Sequence, residues 1–243
     1  MHLIAIQGLR GGCGSTSIVA GLSSALAILH QPVLAIDLCP NNILGLHFGL
    51  PYDEPSAWAY RGAESSVQSI AAFRQQERVY VLPFDRQATR GYDPEQVVAW
   101  LEHALQQLAP ASDCFVLLNI PASLDLSERL GQQPNLHWLH VLEADPACHV
   151  LLSHQLHDNH HLSRNHHWLI NRLQPSLKLS HDLLTLWRLA LGQLLVPYVI
   201  HEDEAVREAL ARKQLLGESA PHSLAMQDFL ALANWCIKTV QDP

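Results

Sequence analysis

The plainest chemical signal in this chain is the stretch Gly8-Leu9-Arg10-Gly11-Gly12-Cys13-Gly14-Ser15-Thr16-Ser17. Four glycines fall within seven residues, between an apolar run (Leu3–Ile6) and a helical pattern (Thr16–Leu29). Glycines so spaced let backbone N–H groups close around an anion at a helix N-terminus, where the helix dipole also favours negative charge. The hydroxyls of Ser15 and Ser17 add donors for phosphate oxygens, and that of Thr16 offers a ligand to magnesium. Phosphate binding is the chemistry these residues suit. One part is missing, because Ser15 stands where a phosphate-binding loop usually carries lysine. The dinucleotide spacing G-x-G-x-x-G does not fit, since Gly12-x-Gly14 continues into three hydroxyl residues with no third glycine in register.

The elements that must hold this loop alternate. Apolar runs recur at Leu3–Ile6, Val33–Ile36, Val79–Leu82, Cys114–Ile120, Trp138–Leu142, Trp168–Asn171 and Leu194–Ile200. Most lack polar alternation, as expected of parallel strands buried on both faces. Helical patterns lie between and after them at Thr16–Leu29, Pro94–Leu108, Ala147–His157, His181–Leu191, Asp203–Lys213 and Leu224–Val240. The alternation predicts one α/β domain over residues 1–243, a doubly wound, mostly parallel sheet flanked by helices. In such sheets ligands sit at the carboxyl ends of the strands, which is where the glycine loop falls. Asp93-Pro94 and the acidic run before Ala205 read as helix starts, and Gly45–Arg74 as an irregular surface excursion.

Composition narrows the partners. The chain is 48% hydrophobic, has a formal net charge of −8 and contains three lysines, which argues against broad binding to nucleic acid or an anionic membrane. No apolar run approaches the ~20 residues of a membrane span, so a cytoplasmic protein without direct membrane insertion is expected. Five scattered cysteines without a C-x-x-C pair suggest neither a disulfide framework nor a zinc site.

From Arg10 to Thr16 the loop resembles the deviant Walker A motif, K-G-G-x-G-K-[S/T], of the MinD/ParA class of P-loop ATPases. Further motifs follow in that class's order. Val33 to Asn42 resembles the segment hhhhDxDPQxN, with Asp37 as the first aspartate, near the metal and switch I. Cys39 stands at the second, which is associated with activating the attacking water. Cys114 to Pro121 resembles the Walker B strand hhhhDxP, with Asn119 in place of aspartate. Trp168 to Arg172 is similar to the strand end whose asparagine, here Asn171, reads adenine. Leu195 to Ala209 resembles the stretch bordering the base and brings in Pro197.

Within that class the chain most resembles the BcsQ (also YhjQ) group of cellulose biosynthesis proteins. That group shares an arginine at the signature-lysine position (Arg10), a hydroxyl residue at the loop lysine (Ser15) and the segment DxCPxN (Asp37 to Asn42). It also shares the C-terminal patterns seen from His201 to Ala205, Ala211 to Glu218 and Leu230 to Cys236. Asn119 departs from the aspartate usual there. The resemblance implies ATP and Mg2+ as cofactors. Nucleotide would be held by Arg10, Gly11, Gly12, Cys13, Gly14, Ser15, Thr16, Ser17, Asp37, Asn171 and Pro197, and the metal by Thr16, Asp37 and Asn119. It further implies a nucleotide-dependent homodimer, with Arg10 reaching a γ-phosphate across the interface. Implied partners are the small BcsR protein and the inner-membrane synthase complex, with placement at the membrane face or cell pole through those partners.

Phosphoryl transfer needs positioned cations and an oriented water. With Ser15, Cys39 and Asn119 at three key positions, the expectation is nucleotide binding with slow or no hydrolysis. The alternatives are a working ParA/MinD-like positioning ATPase and a nucleotide-free scaffold. Other features favour plainer readings. His154, His157, His160, His161, His166 and His167 lack acidic or cysteine partners at fixed spacing and read as a polar loop. Cys13 and Cys39 could meet at neighbouring strand ends as a reactive pair, but apolar filler is favoured. The apolar residues of Met226–Val240 lack the basic face of a membrane anchor and read as core.

Overall fold

The computed structural model of the protein describes residues 1–53, 73–76, 78–84, 93–108, 114–130, 133, 135–157 and 165–241. In chain order the elements are β1 (His2–Gly8), α1 (Ser15–Ile28), β2 (Val33–Asp37), α2 (Leu44–His47), β3 (Phe73–Gln76), β4 (Val79–Leu82) and α3 (Pro94–Leu108). They continue with β5 (Phe115–Ile120), α4 (Ser127–Leu130), β6 (Leu136–Glu143), α5 (Pro146–His157), β7 (His166–Leu173) and α6 (Lys178–Leu191). The chain closes with β8 (Leu195–His201), α7 (Glu204–Ala211), α8 (Leu216–Ser219) and α9 (Leu224–Gln241). The strands form one sheet in the order β3-β4-β2-β5-β1-β6-β7-β8. All neighbours pair in parallel except β3, which runs antiparallel to β4. Sequence pattern misses β3 because it is a short polar edge strand, Phe-Arg-Gln-Gln, with almost no apolar signal. Within the irregular excursion residues 45–53, which include most of α2, and 73–74, the start of β3, are described, and His160 and His161 lie outside the described residues.

The middle of the sheet is dry on both faces. Ile4 and Ile6 of β1 pack with α1, whereas Leu3 and Ala5 face the other way into a layer with Val97, Trp100 and Leu101 of α3. Helix α1 is buried at every residue from Ile18 to Leu26, so its sequence carries no polar stripe. Its buried hydroxyls are satisfied: Ser23 donates to the Val19 carbonyl at 2.8 Å, and Ser24 accepts the Gly217 amide at 2.9 Å. Where α1 crosses α9, a Cβ on Gly21 would lie 2.3 Å from the Phe229 ring, so no side chain fits there. The apolar residues of α9 are core, with Phe229, Leu232, Ala233 and Cys236 all buried.

Two caps follow the sequence signals. Asp93 accepts the Glu95 amide at 3.1 Å ahead of Pro94. Asp203 accepts the Ala205 amide at 2.9 Å and the Ala225 amide at 3.0 Å, tying the starts of α7 and α9 together.

One buried histidine lacks the hydrogen-bond partners that usually accompany burial. His167, 8% exposed, stacks on His137 at 5.9 Å and meets Trp235 edge-on at 4.8 Å, and neither of its ring nitrogens has a hydrogen-bond partner. Burial lowers the pKa of His167 to about 4, helped by His137 and His166, and burial lowers that of His47 to about 4 as well. Both folded values lie below the unfolded one, so the stability they permit is complete above pH ~6.5 and is lost as pH falls toward 4. Each site contributes up to about 3 kcal/mol to that loss. Denaturant unfolding measured from pH 7.5 to 4.5 should show it. His167→Leu, which removes two orphaned nitrogens and keeps the volume, should raise stability by about 1–3 kcal/mol and flatten the acid slope. A less stable variant with an unchanged slope would contradict this assignment.

Candidate functional site

The loop after β1 is built as an anion cradle. Gly14 caps α1 in the left-handed region (φ 85°), Gly12 is also left-handed (φ 90°), and α1 has neither a side-chain cap nor an acidic residue in its first turn. Among the described residues, the amides from Gly11 to Ser17 donate to no backbone carbonyl. The loop's carbonyls, by contrast, are held by β7: Asn171 Nδ2 donates to Cys13 O at 2.8 Å, and Arg172 Nη1 to Gly12 O at 3.1 Å. A Cβ on Gly14 would stand 2.5 Å from Asn171 Nδ2, so glycine is required there on two counts. Uncapped amides at a helix start, in alternating left- and right-handed backbone, suit phosphate oxygens.

Beneath the loop, three residues expected at the metal do meet. Asp37 and Asn119 are register partners at the ends of β2 and β5, and both are fully buried. Asn119 Nδ2 donates to Asp37 Oδ1 at 2.8 Å and to Thr16 Oγ1 at 3.1 Å, so one amide joins two strands to α1. Asp37 also accepts the amides of Cys39 at 3.0 Å and Leu44 at 3.3 Å. Burial raises its pKa to about 6, against the pull of these hydrogen bonds. Thr16 fits magnesium, and Asn119 offers it a neutral oxygen. Asp37 is turned to backbone amides and to Asn119, which leaves the site short of the carboxylates that such ions favour. Cys39 donates to Asn119 O at 3.7 Å, and burial pushes its thiol well above the ordinary range, so it stays protonated and is no base for water.

Beside the loop lies a cluster the sequence reading did not single out. Arg10 pairs with Glu143 at 3.0 Å and with Asp145, both at the end of β6, and Arg172 lies 3.7 Å from Glu143. Burial works against the Asp145 carboxylate, but the hydrogen bond and charge of Arg10 together with the Cys148 and Ala147 amides outweigh it and lower its pKa. In the single chain Arg10 is therefore neutralised in cis. Arg172 holds φ at 52°, uncommon for a residue with a side chain, and the residue beside Asn171 was the available signal for it.

A cleft of about 600 Å³ opens next to Ser17 and Asn171, lined on its far side by Ile200, His201, Glu202, Asp203 and Arg207. Pro197 does not reach it. Pro197 is exposed on the edge strand β8, within the irregular register between Trp168–Leu195 and Ile170–Val199, and the cleft is lined instead by His201 to Asp203. A proline is tolerated there because an edge strand has amides to spare. Cys13 does not meet Cys39 either; its sulfur lies 3.6 Å from that of Cys148. Among the described residues no three His, Cys, Asp or Glu side chains are grouped to hold a metal, and no helix is long and apolar enough to cross a membrane.

The Asp37–Asn119 contact supports a direct test. Asn119→Asp would set two buried carboxylates about one hydrogen bond apart, disfavouring ionisation of the pair. The variant should lose about 1–3 kcal/mol at pH 8, and less toward pH 5, where a shared proton relieves the repulsion. Millimolar magnesium should restore much of the loss. Chemical denaturation with and without the metal checks this, and an unaltered stability at pH 8 would contradict it.

Comparison with known proteins agrees with this geometry. A family model described as cellulose biosynthesis protein BcsQ matches residues 1–237. The BcsQ protein of Salmonella typhi is 35% identical over 98% of this chain and 94% of its own length. Among solved structures, a ParA family ATPase from Chlorobium tepidum TLS matches with a TM-score of 0.74 at 16% identity, covering 96% of this chain and 98% of that one. The septum site-determining protein MinD of Pyrococcus horikoshii OT3, complexed with Mg-ADP, matches with a TM-score of 0.72 at 23% identity, covering 96% and 95%. The two structural likenesses establish the MinD/ParA P-loop fold, and with the match over 1–237 the chain belongs to the BcsQ family of cellulose biosynthesis proteins.

Proposed function

We propose that this protein is an ATP-holding, dimer-forming accessory factor of bacterial cellulose biosynthesis, aiding assembly or placement of the synthase complex, with slow or no ATP hydrolysis. The observation that carries this is the uncapped amide cradle from Gly11 to Ser17, standing over a metal position that keeps Thr16 and has Asn119 for its second residue. The cradle would take the phosphates. Arg10 would supply the cation that Ser15 does not, its planar fork suiting bidentate contact with phosphate. Asn171 and the cleft running to Asp203 would flank the base. Magnesium, when bound, neutralises charge between the phosphates, and Thr16 is the residue best placed to hold it.

The chain's own residues favour binding over turnover. Asn119 brings no charge, Cys39 stays protonated, and Ser15 donates a hydrogen bond without a positive charge. Loss of one phosphate-stabilising cation alone is worth about 10³–10⁵ in rate. The bound state would then act as the signal, recognised by a second copy and by partners such as BcsR and the synthase complex. Such an arrangement is consistent with a cytoplasmic chain recruited to the membrane by other proteins.

Three measurements test this. Calorimetric titration with ATP should show binding that changes only a fewfold, less than about tenfold, when EDTA replaces magnesium, because few protein ligands hold the metal. Phosphate release should stay at least about 10³-fold below ordinary turnover near 1 s⁻¹, and faster release would overturn the weak-hydrolysis assignment. Sedimentation should show dimer only with ATP, and Arg10→Ala should weaken that dimer by about tenfold or more, with Arg10→Lys intermediate. Dimer formation without nucleotide, or an Arg10→Ala dimer of unchanged affinity, would sink the role given to Arg10.

A further inference from the structure

Two thiols meet behind the loop, and nucleotide binding as described uses neither. Cys13 lies in the loop between Gly12 and Gly14, and Cys148 is the third residue of α5. Their sulfurs are 3.6 Å apart, and the two residues are 1% and 0% exposed. The other three cysteines are placed differently. Cys39 and Cys114 donate to the carbonyls of Asn119 and Phe115, and Cys236 is buried within α9.

The surroundings of the pair are unequal. Cys148 is fixed, with Asp145 Oδ1 accepting its backbone N–H at 2.9 Å and its sulfur accepting the Glu143 amide at 3.5 Å. Cys13 sits on backbone that only glycines flank. The hydrogen bond from Cys148 lowers the Cys13 thiol to about 7 against the effect of burial, and the Arg10 amide adds to this. The same bond raises Cys148. Cys13, beside the start of α1 and Arg10 on backbone free to move, is assigned as the nucleophile, and Cys148, fixed in α5, as the resolving thiol.

We propose that Cys13 and Cys148 form a reversible disulfide that clamps the glycine loop against α5 under peroxide. The Cys13 thiolate attacks one peroxide oxygen, giving a sulfenic acid and, once the proton it gave up is counted, one water. The Cys148 sulfur then displaces the sulfenic hydroxyl, which leaves as a second water with the Cys148 proton. Two thiols and one peroxide thus yield one S–S bond and two waters, with two electrons passing from sulfur to oxygen. A thiol reductant reverses the step by exchange.

The structural consequence follows from which side can move. A disulfide is about 2.05 Å long, so the sulfurs must close by about 1.5 Å. The loop gives way, because Cys148 is held in a helix. The turn that bears Cys148 also bears Glu143 and Asp145, the partners of Arg10. One bond therefore draws the amide cradle toward α5 and keeps Arg10 paired within its own chain. Its effect on ATP rests on the function proposed above, whereas bond and clamp do not.

The full-length protein, reduced and then treated with stoichiometric hydrogen peroxide, provides the test. Mass spectrometry should show loss of two hydrogens and a cross-linked peptide joining Cys13 to Cys148, both reversed by dithiothreitol. Cys148→Ala should abolish the cross-link and leave Cys13 trapped as the sulfenic acid, one oxygen heavier, and its melting curve reports whether it folds. Cys13→Ala, with Cys148 intact, should lose the cross-link without oxidation elsewhere. Amide exchange across residues 9–17 should slow about tenfold in the oxidised protein, and ATP affinity should fall by a similar factor. A cross-link through Cys39, no loss of hydrogens, or a disulfide with unchanged exchange would each overturn the clamp. If the bond and the slowed exchange appear but the reduced protein binds no ATP, the clamp stands and the nucleotide function falls. If the bond and the slowed exchange appear but reduced and oxidised protein bind ATP equally, the clamp's effect on nucleotide falls and the function stands.

Discussion

Helix α1 begins without a side-chain cap, and much of the structure near it can be understood from that constraint. A helix start leaves amide donors without partners, and a buried helix cannot leave them all to water. Here the carbonyls of the loop are tied back by Asn171 and Arg172 while its amides stay unpaired. Gly12 and Gly14 supply the left-handed backbone this requires. An anion in the loop would complete a set of interactions that the chain itself leaves unfinished.

Charge around the site is balanced locally. Arg10 and Arg172 face Glu143 and Asp145, so the loop's border is close to neutral although the chain as a whole is acidic. Under the loop the substitution runs the other way, because Asn119 replaces an expected negative charge with an amide and Asp37 is left as the lone buried carboxylate of that junction. A second carboxylate there would need a cation to be stable. An amide does not, so the junction is complete without metal.

Much of this was legible in the sequence. Buried parallel strands write themselves as continuous apolar runs, and all seven of the predicted runs are strands. The helix starts at Pro94 and Asp203 were legible because a cap and a first-turn proline act through immediate neighbours. The meeting of Thr16, Asp37 and Asn119 was legible because each stands at the end of a strand or the start of the helix beside it. The site was not legible where function depends on strands far apart in sequence: Glu143 and Asp145 meet Arg10, and Cys148 meets Cys13, only because β6 lies beside β1. Pro197 lies where the register of β8 against β7 is irregular, and no composition signal reports such an irregularity.

At Gly21 helix α1 packs directly on the Phe229 ring of α9, with no room for a side chain between them. The glycine loop sits at one end of α1, and α9 is the last helix of the chain. Phe229 also lines the cleft beside Ser17 and Asn171, so α9 borders both α1 and the space proposed for the base. A fusion or truncation made in that helix for convenience would bear on that space, and the carboxyl end is also the natural place from which a partner could sense whether it is filled.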